Sequence, residues 1–259
     1  MIKIYSLCSG SSGNSTFFKI GNDSFLIDAG ASLKFIRKSL EELGEDISNI
    51  KAVFITHEHS DHIKGCFMLS KYHKAPIHVL SPSAPFIETA EGFSVTPHSM
   101  GYSVELEDSV ITSFPLSHDS AACCGYRVTC KWDRSLYFAT VTDTGFVTEE
   151  ALRFTKGARA VLVESNHDVD MLRYGPYPPM LKERIRSKRG HLSNDECAEF
   201  CAFLSRNGTE EVLLGHLSEE NNTPLRAITR VTSSLDRENR KMKVSTAKKS
   251  ELTPLYLQN

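Results

Sequence analysis

The sequence predicts an α/β domain in which two mixed sheets face each other with helices outside, four layers in all. Two observations predict it. Both halves of the chain are rich in short β-branched runs that end in polar loops, and each half interleaves them with helical stretches. No linker, low-complexity run or tandem repeat divides residues 1–259, and that length supports a single domain with an ample core.

Taken in order, residues 3–7 read as a strand, followed by a glycine-serine loop from Ser9 to Ser15. Residues 16–20 and 24–28 form a hairpin around Gly21-Asn22-Asp23. No GK[ST] and no helix follow the glycine-serine loop, so it is not a P-loop, although its N–H groups are placed to line a site edge. Leu33, Ile36, Leu40 and Leu43 make one stripe of a helix over 32–44, with Gly44 as its stop. A strand at 53–55 leads into a helix over about 63–72, a strand at 77–80 and a short helix over 83–90. Val95, Val104, Leu106 and the run 110–115 predict further strands. In the second half, 125–130 and 135–140 pair around Trp132-Asp133-Arg134, a helix spans about 149–154, and 160–164 is a buried strand. A charged helix over 180–188 precedes one starting at Ser193, where Ser193 and Glu196 form a capping box, and running to about Leu204. A strand at 211–215, a helix from Pro224 and a basic tail with a possible last strand complete the chain.

Composition narrows the function classes. The seven cysteines include no CxxC pair, and an odd count without a secretory signal points to a reducing cytoplasm rather than a disulfide framework. No apolar run is long enough to cross a bilayer. A formal net charge of −2 gives no global basic field, so any nucleic-acid contact must come from a local patch.

The chemistry is concentrated after the strand at 53–55, where His57, His59, Asp61 and His62 fall within six residues. Alternation along a strand end points His57 and His59 the same way, whereas Asp61 and His62 diverge as the chain turns. Four ligand-type side chains exceed the need of one ion, so two divalent ions side by side are expected. Completion must come from other strand ends, and three fit: His118 after 110–115, Asp143 after 136–140 and His216 after 212–214. The first ion then takes His57, His59 and His118, the second Asp61, His62 and His216, with Asp143 bridging and an activated water between them as nucleophile. Asp28, at the end of an early strand, is expected to support this site or the fold, and His73, His78 and His98 to be structural. No GxSxG elbow supports a serine nucleophile.

This HxHxDH motif with a downstream His, Asp and His resembles the metallo-β-lactamase superfamily. Further segments, Ser6–Ser15, Glu164-Ser165-Asn166-His167-Asp168, Gly190-His191-Leu192-Ser193 and the stretch from His216 to Pro224, resemble its YycJ/WalJ-type subfamily of exonuclease-like hydrolases along the whole chain. The resemblance implies an αββα sandwich with zinc or manganese, iron also being possible, at one edge. It implies that Asp61 and His191 act in catalysis, His191 over the substrate phosphate, with Asn166, His167 and Arg189 as substrate contacts. The alternative reading of His191 is a neighbour of a helix cap, and that of His167 is a residue orienting a ligand. The chain departs from the subfamily at Ser120–Tyr126, which lacks the usual acidic residue and proline before Gly-Tyr and leaves the substrate contacts beside His118 open.

The expected activity is hydrolysis of a phosphodiester, with DNA as substrate and an exonuclease as the leading form. The basic runs Lys182, Arg184, Arg186, Lys188, Arg189 and Arg237, Arg240, Lys241, Lys243, Lys248, Lys249 could track a nucleic-acid backbone or simply be solvated faces. The alternatives are a small-molecule phosphodiesterase, a thioester or lactam hydrolase, and a regulatory binding protein with structural metals. Oligomeric state is not written in the sequence.

Overall fold

A computed structural model of the chain describes residues 1–87 and 95–258. The first sheet begins with β1 (Ile2–Cys8), β2 (Ser15–Ile20) and β3 (Asp23–Ile27), an antiparallel meander. After α1 (Leu33–Glu42) the chain adds β4 (Ala52–Phe54), turns through α2 (Ser60–Ile63) and α3 (Cys66–His73), and adds β5 (Ile77–Leu80) and β6 (Val95–His98) in parallel. The second sheet starts with the antiparallel strands β7 (Ser103–Glu105), β8 (Ser109–Pro115), β9 (Cys124–Cys130) and β10 (Tyr137–Val141). It continues in parallel through α4 (Glu149–Thr155), β11 (Ala160–Glu164), α5 (Val169–Tyr174), α6 (Pro179–Arg186), α7 (Asn194–Arg206), β12 (Glu211–Gly215), α8 (Pro224–Arg237) and β13 (Lys243–Thr246). Finally β14 (Thr253–Gln258) returns to pair with β1. Among the described residues the two sheets therefore have seven strands each, in the orders β14-β1-β2-β3-β4-β5-β6 and β13-β12-β11-β10-β9-β8-β7.

Three apolar clusters account for the expected four layers. Ile4, Phe18, Phe25 and Phe54 of the first sheet meet Ile111, Tyr126, Val128 and Phe138 of the second, and this is the inner core. The outer face of the first sheet packs Phe17, Leu26 and Val53 on Ile36 and Leu40 of α1. On the outer face of the second sheet, Val161 and Val163 pack on Phe200 and Leu204 of α7 and Val231 of α8. In β11 the period of two sends Ala160 and Leu162 to the inner core and Val161 and Val163 to the helices, which is why that run is apolar throughout.

Local signals explain the element ends. The Ser193–Glu196 capping box is present, with Ser193 Oγ accepting from the Glu196 N–H and the Glu196 carboxylate accepting from the Ser193 N–H. Other boundaries differ from expectation. The single helix expected over 63–72 is two, broken at Gly65, whose N–H donates to Ala29 O at 2.7 Å. A Cβ there would lie 2.5 Å from Ala31 O, so only glycine allows this approach. The helix expected over 83–90 is a 3₁₀ turn, Ala84–Phe86, and 88–90 fall outside the described residues. The helix α5 is not among the expected elements, and the tail carries two strands where one is expected. Pro254 masks the strand character of β14, yet an edge strand tolerates it, and it sits beside a register shift at Ile4/Tyr5.

Candidate metal centre

The parallel strands of both sheets end at one edge of the sandwich, where ligands gather in open α/β architectures. There His57 follows β4, His118 follows β8, Asp143 follows β10, Glu164 ends β11 and His216 follows β12. Three residues at these ends, Asp28, Asp143 and His216, have φ of 60°, 60° and 54°. Non-glycine residues in this left-handed region cost about 1–2 kcal/mol each, so the turn that redirects these side chains is held against local preference by the surrounding packing. Gly30 supports the same corner: a Cβ would come 1.6 Å from Asp61 O.

The candidate ligand atoms of His57, His59 and His118 lie within 4.8 Å of one another, as do those of Asp61, His62 and His216. Asp143 joins His57 and His62 in a third such group, and joins Glu164, His191 and His216 in a fourth. The geometry thus brings together all seven side chains expected from the sequence as ligands.

Four imidazoles share one arrangement. Each has Nδ1 engaged away from the centre: His57 on Thr56 Oγ1 at 3.0 Å, His62 on Asp28 Oδ2 at 2.8 Å, His118 on Gly190 O at 3.1 Å and His216 on Glu164 Oε1 at 2.8 Å. Such partners fix the tautomer and leave Nε2 with its lone pair facing inward. His57 Nε2, His216 Nε2 and Asp143 Oδ2 are buried and make no hydrogen bond. Buried polar atoms without partners are costly, and several converging on one point fit a divalent cation.

The electrostatics agree. Burial and the adjoining imidazoles of His62, His118 and His59 push His57 far below its ordinary pKa. Burial also lowers His118. At His62 burial opposes the charge, but Asp28 and Asp143 outweigh it and the pKa rises well above normal. His216 rises for the same reason, through Asp143, Asp61 and Glu164. Burial would raise Glu164, yet His191 and His216 hold its carboxyl below the usual range. A site whose carboxylates recruit protons onto imidazoles is one built to hold positive charge.

Around the centre lies a cleft of about 270 Å³, lined among others by Ser11, Asp61, Asn166, Tyr177, Arg184 and His191. His191 is partly exposed there, with Nδ1 on Glu164 Oε1 at 2.7 Å. Asn166 lines the cleft while its Nδ2 donates to His216 O at 3.0 Å. Arg189 instead donates to the carbonyls of His118 and Ser120, at 3.1 and 3.3 Å, and braces that loop from outside. His167 is buried, belongs to none of the ligand groups and is absent from the cleft wall; burial lowers its pKa to about 4. Glu58, inside the motif, turns away to accept from Ala121 N and Ser83 Oγ, both at 2.6 Å, and so anchors the loop where the chain departs from the subfamily pattern.

Two supporting residues were missed in the sequence. For Glu164 the signal that could have found it is a lone charge ending an apolar strand. Asn14, in the glycine-serine loop, carried no such signal, yet its Nδ2 lies 3.2 Å from Asp61 Oδ2 and 3.1 Å from His62 Nε2. Ser9 Oγ of the same loop accepts from His216 N at 2.8 Å.

The profile of the beta-lactamase superfamily domain matches residues 24–217. The chain is 38% identical over 222 residues to the exodeoxyribonuclease WalJ of Streptococcus pneumoniae, covering 83% of this chain and 81% of that protein. The chain belongs to the metallo-β-lactamase superfamily. Within the superfamily it is also 34% identical over 220 residues to the exodeoxyribonuclease YycJ of Bacillus anthracis, covering 83% and 82% of the two chains. The fold matches the metallo-β-lactamase fold protein YhfI of Bacillus subtilis with a TM-score of 0.73 at 18% identity over 98% of both chains. Human tRNase Z, short form, gives 0.67 at 17% identity, covering 98% of this chain and 100% of that one.

Proposed function

We propose that the protein is a dinuclear metal-dependent phosphodiester hydrolase that acts as a DNA exonuclease. The observation that carries this reading is the placement of His191. With its Nδ1–H directed at Glu164, any further proton the ring takes up sits on Nε2. That atom is available to the cleft, where it can meet a phosphate oxygen or protonate a leaving oxygen. The superfamily relatives named as exodeoxyribonucleases support DNA as the polymer.

His57, His59 and His118 would hold one ion, Asp61, His62 and His216 the other, with Asp143 between them. When bound, two zinc or manganese ions would supply Lewis acidity and make water a competent nucleophile at neutral pH. The protein holds the imidazoles in one tautomer, orients Asp61 through Asn14 and presents His191 beside the ligands, its ring 4.9 Å from that of His118 and 5.1 Å from that of His216. Seven free, buried cysteines support a reducing compartment such as the cytoplasm.

Incubation of zinc- or manganese-loaded protein with end-labelled DNA tests the reading, and progressive loss of label with release of mononucleotides is expected. Hydrolysis of small phosphodiesters with no action on DNA would instead make it a small-molecule phosphodiesterase. His191→Ala should cost about 10²–10⁴-fold in turnover if His191 serves as general acid. A change below twofold would point to thioester or lactam hydrolysis, which does not need that proton donor.

A further inference from the structure

Of the three imidazoles grouped for the first ion, two are aimed by partners of their own. His57 has Thr56 Oγ1 on its Nδ1, and His118 has Gly190 O. The ring of His59 lines the cleft and makes no hydrogen bond among the described residues. His59 is also the N-cap residue of α2, yet its side chain does not cap that helix. The ring nevertheless keeps a defined place. Its centroid lies 4.6 Å from that of His57 and 5.1 Å from that of His118, with the rings inclined at 75° and 71°. Whatever holds His59 there acts through its backbone.

Glu58 is placed to do so. In an extended stretch consecutive side chains leave the chain on opposite sides, so turning His57 and His59 to the centre turns Glu58 away from it. Its Oε1 accepts from Ala121 N and its Oε2 from Ser83 Oγ, both at 2.6 Å. Ser83 is fully buried between β5 and the 3₁₀ turn, and its Oγ also lies 3.1 Å from Ala122 O. Ala121 is in the loop that begins at His118. One carboxylate therefore ties the segment carrying His57 and His59 both to the loop carrying His118 and to the end of β5. Arg189 braces the same loop through the carbonyls of His118 and Ser120, and Glu58 supplies a separate tie through Ala121. Hydrogen bonds to a carboxylate are about twice as strong as neutral ones, so two short ones make a stiff joint. The ligands of the second ion use other partners: His62 rests on Asp28, His216 on Glu164 and Asp61 on Asn14.

Building on the two-ion reading above, we infer that Glu58 is a positioning residue for the first ion, which sets His59 and His118 relative to each other and leaves the second ion's ligands alone. Position, not charge, is what it contributes. In Glu58→Gln the side-chain carbonyl can still accept from Ala121 N, while the amide nitrogen donates to Ser83 Oγ and that hydroxyl turns to Ala122 O. Both ties survive there without the charge, whereas Glu58→Ala removes them.

The test is titration of the metal-free full chain with zinc against a chromophoric chelator, which reads the affinity of each ion without turnover. The unaltered protein should take two ions. Glu58→Ala should weaken one of them about 10–100-fold, and Glu58→Gln should weaken it less than about threefold. Ser83→Ala, which leaves the histidine motif intact and removes one anchor, should weaken the same ion by a smaller factor. His59→Ala should leave the second ion only, and adding Glu58→Ala to it should not change that ion's affinity. The fold is expected to persist in all of these, because Cys124 N on Thr56 O at 3.1 Å and Tyr126 Oη on Ile55 O at 2.7 Å still join the two sheets. Unchanged affinities in Glu58→Ala, equal weakening of both ions, or the same loss in Glu58→Gln as in Glu58→Ala would overturn the inference, the last by making charge the cause. A single ion on the unaltered protein, weakened by Glu58→Ala and spared by Glu58→Gln, would keep Glu58 in this role and sink the two-ion reading instead.

Discussion

Every acceptor position of the Glu164 carboxylate is taken by an N–H group: Nδ1 of His191 and His216 on Oε1, and the backbone of Thr144 and Leu192 on Oε2. A carboxamide at this position would turn a donor toward donors. Glu164→Gln is therefore expected to lower metal affinity about 10–100-fold, the usual cost of losing a residue that orients a ligand, as measured by competition with a chromophoric chelator. Asp28→Asn should act similarly through His62. Unchanged affinity in both variants would show that the imidazoles orient themselves. A second residue-scale prediction concerns His78, whose Nδ1 lies 2.9 Å from His98 Nε2 and whose ring stacks on Phe54. Burial first, and the charge of His98 second, hold its pKa down from 6.5 to about 4. Between those values only the unfolded chain takes up the proton, so this stability is complete above 6.5 and is lost as pH falls toward 4. His78→Phe, which keeps a stacking ring and cannot titrate, should lose less Tm than the original protein between about pH 7 and 5; parallel curves would rule the assignment out. Ligand-type residues were legible because several histidines and aspartates crowded behind apolar strands repel or desolvate one another unless a cation gathers them. Asn14 was not, because an asparagine in a glycine-serine loop reads as turn chemistry.

Strands and helices set how accurately those residues are aimed. Apart from β11, which ends in Glu164 itself, each contributing strand stops just short of its functional side chain, and the chain turns left-handed at Asp28, Asp143 and His216. Close backbone contacts lock this arrangement, and Gly30 is the tightest. Gly30→Ala would drive a methyl group into Asp61 O and Asn14 N, and it should destabilise the protein by about 1–3 kcal/mol while loosening Asp61. Urea unfolding read beside metal titration checks both halves of that statement, and a variant with unaltered midpoint and affinity would mean that the corner is soft. Elements with strong periodicity, such as α1 and β11, were legible at once. What escaped were features decided by tertiary contact: the break at Gly65, made by Ala29 and Ala31, and β14, whose proline argues against a strand until its edge position is known.

At the scale of the whole molecule, charge is distributed rather than abundant. The net value of −2 hides the basic run Lys182, Arg184, Arg186, Lys188 and Arg189, so the DNA association proposed above should be local and sensitive to salt. If that run neutralises about three or four phosphates, log affinity against log salt should fall with a slope of about −2 to −4. A flat dependence would mean that the basic residues are only a solvated face. The sandwich itself was legible because each half of the chain builds most of one sheet. The exception, the return of the tail to the first sheet, is a matter of topology that no local pattern encodes.

That return has a consequence in time. Ile2 pairs with Gln258 and Ile4 with Tyr256, so β1 is synthesised well before one of its two partners. Until β14 is made, the outer edge of β1 stays open, an exposed template for pairing with other nascent chains. Chains shortened by residues 253–258 should therefore associate through β1, and a peptide of that sequence supplied separately should disperse them; monomeric shortened chains would show that the edge protects itself. The six residues that close the sandwich thus act as a stopper fitted only after the other strands of both sheets have been made.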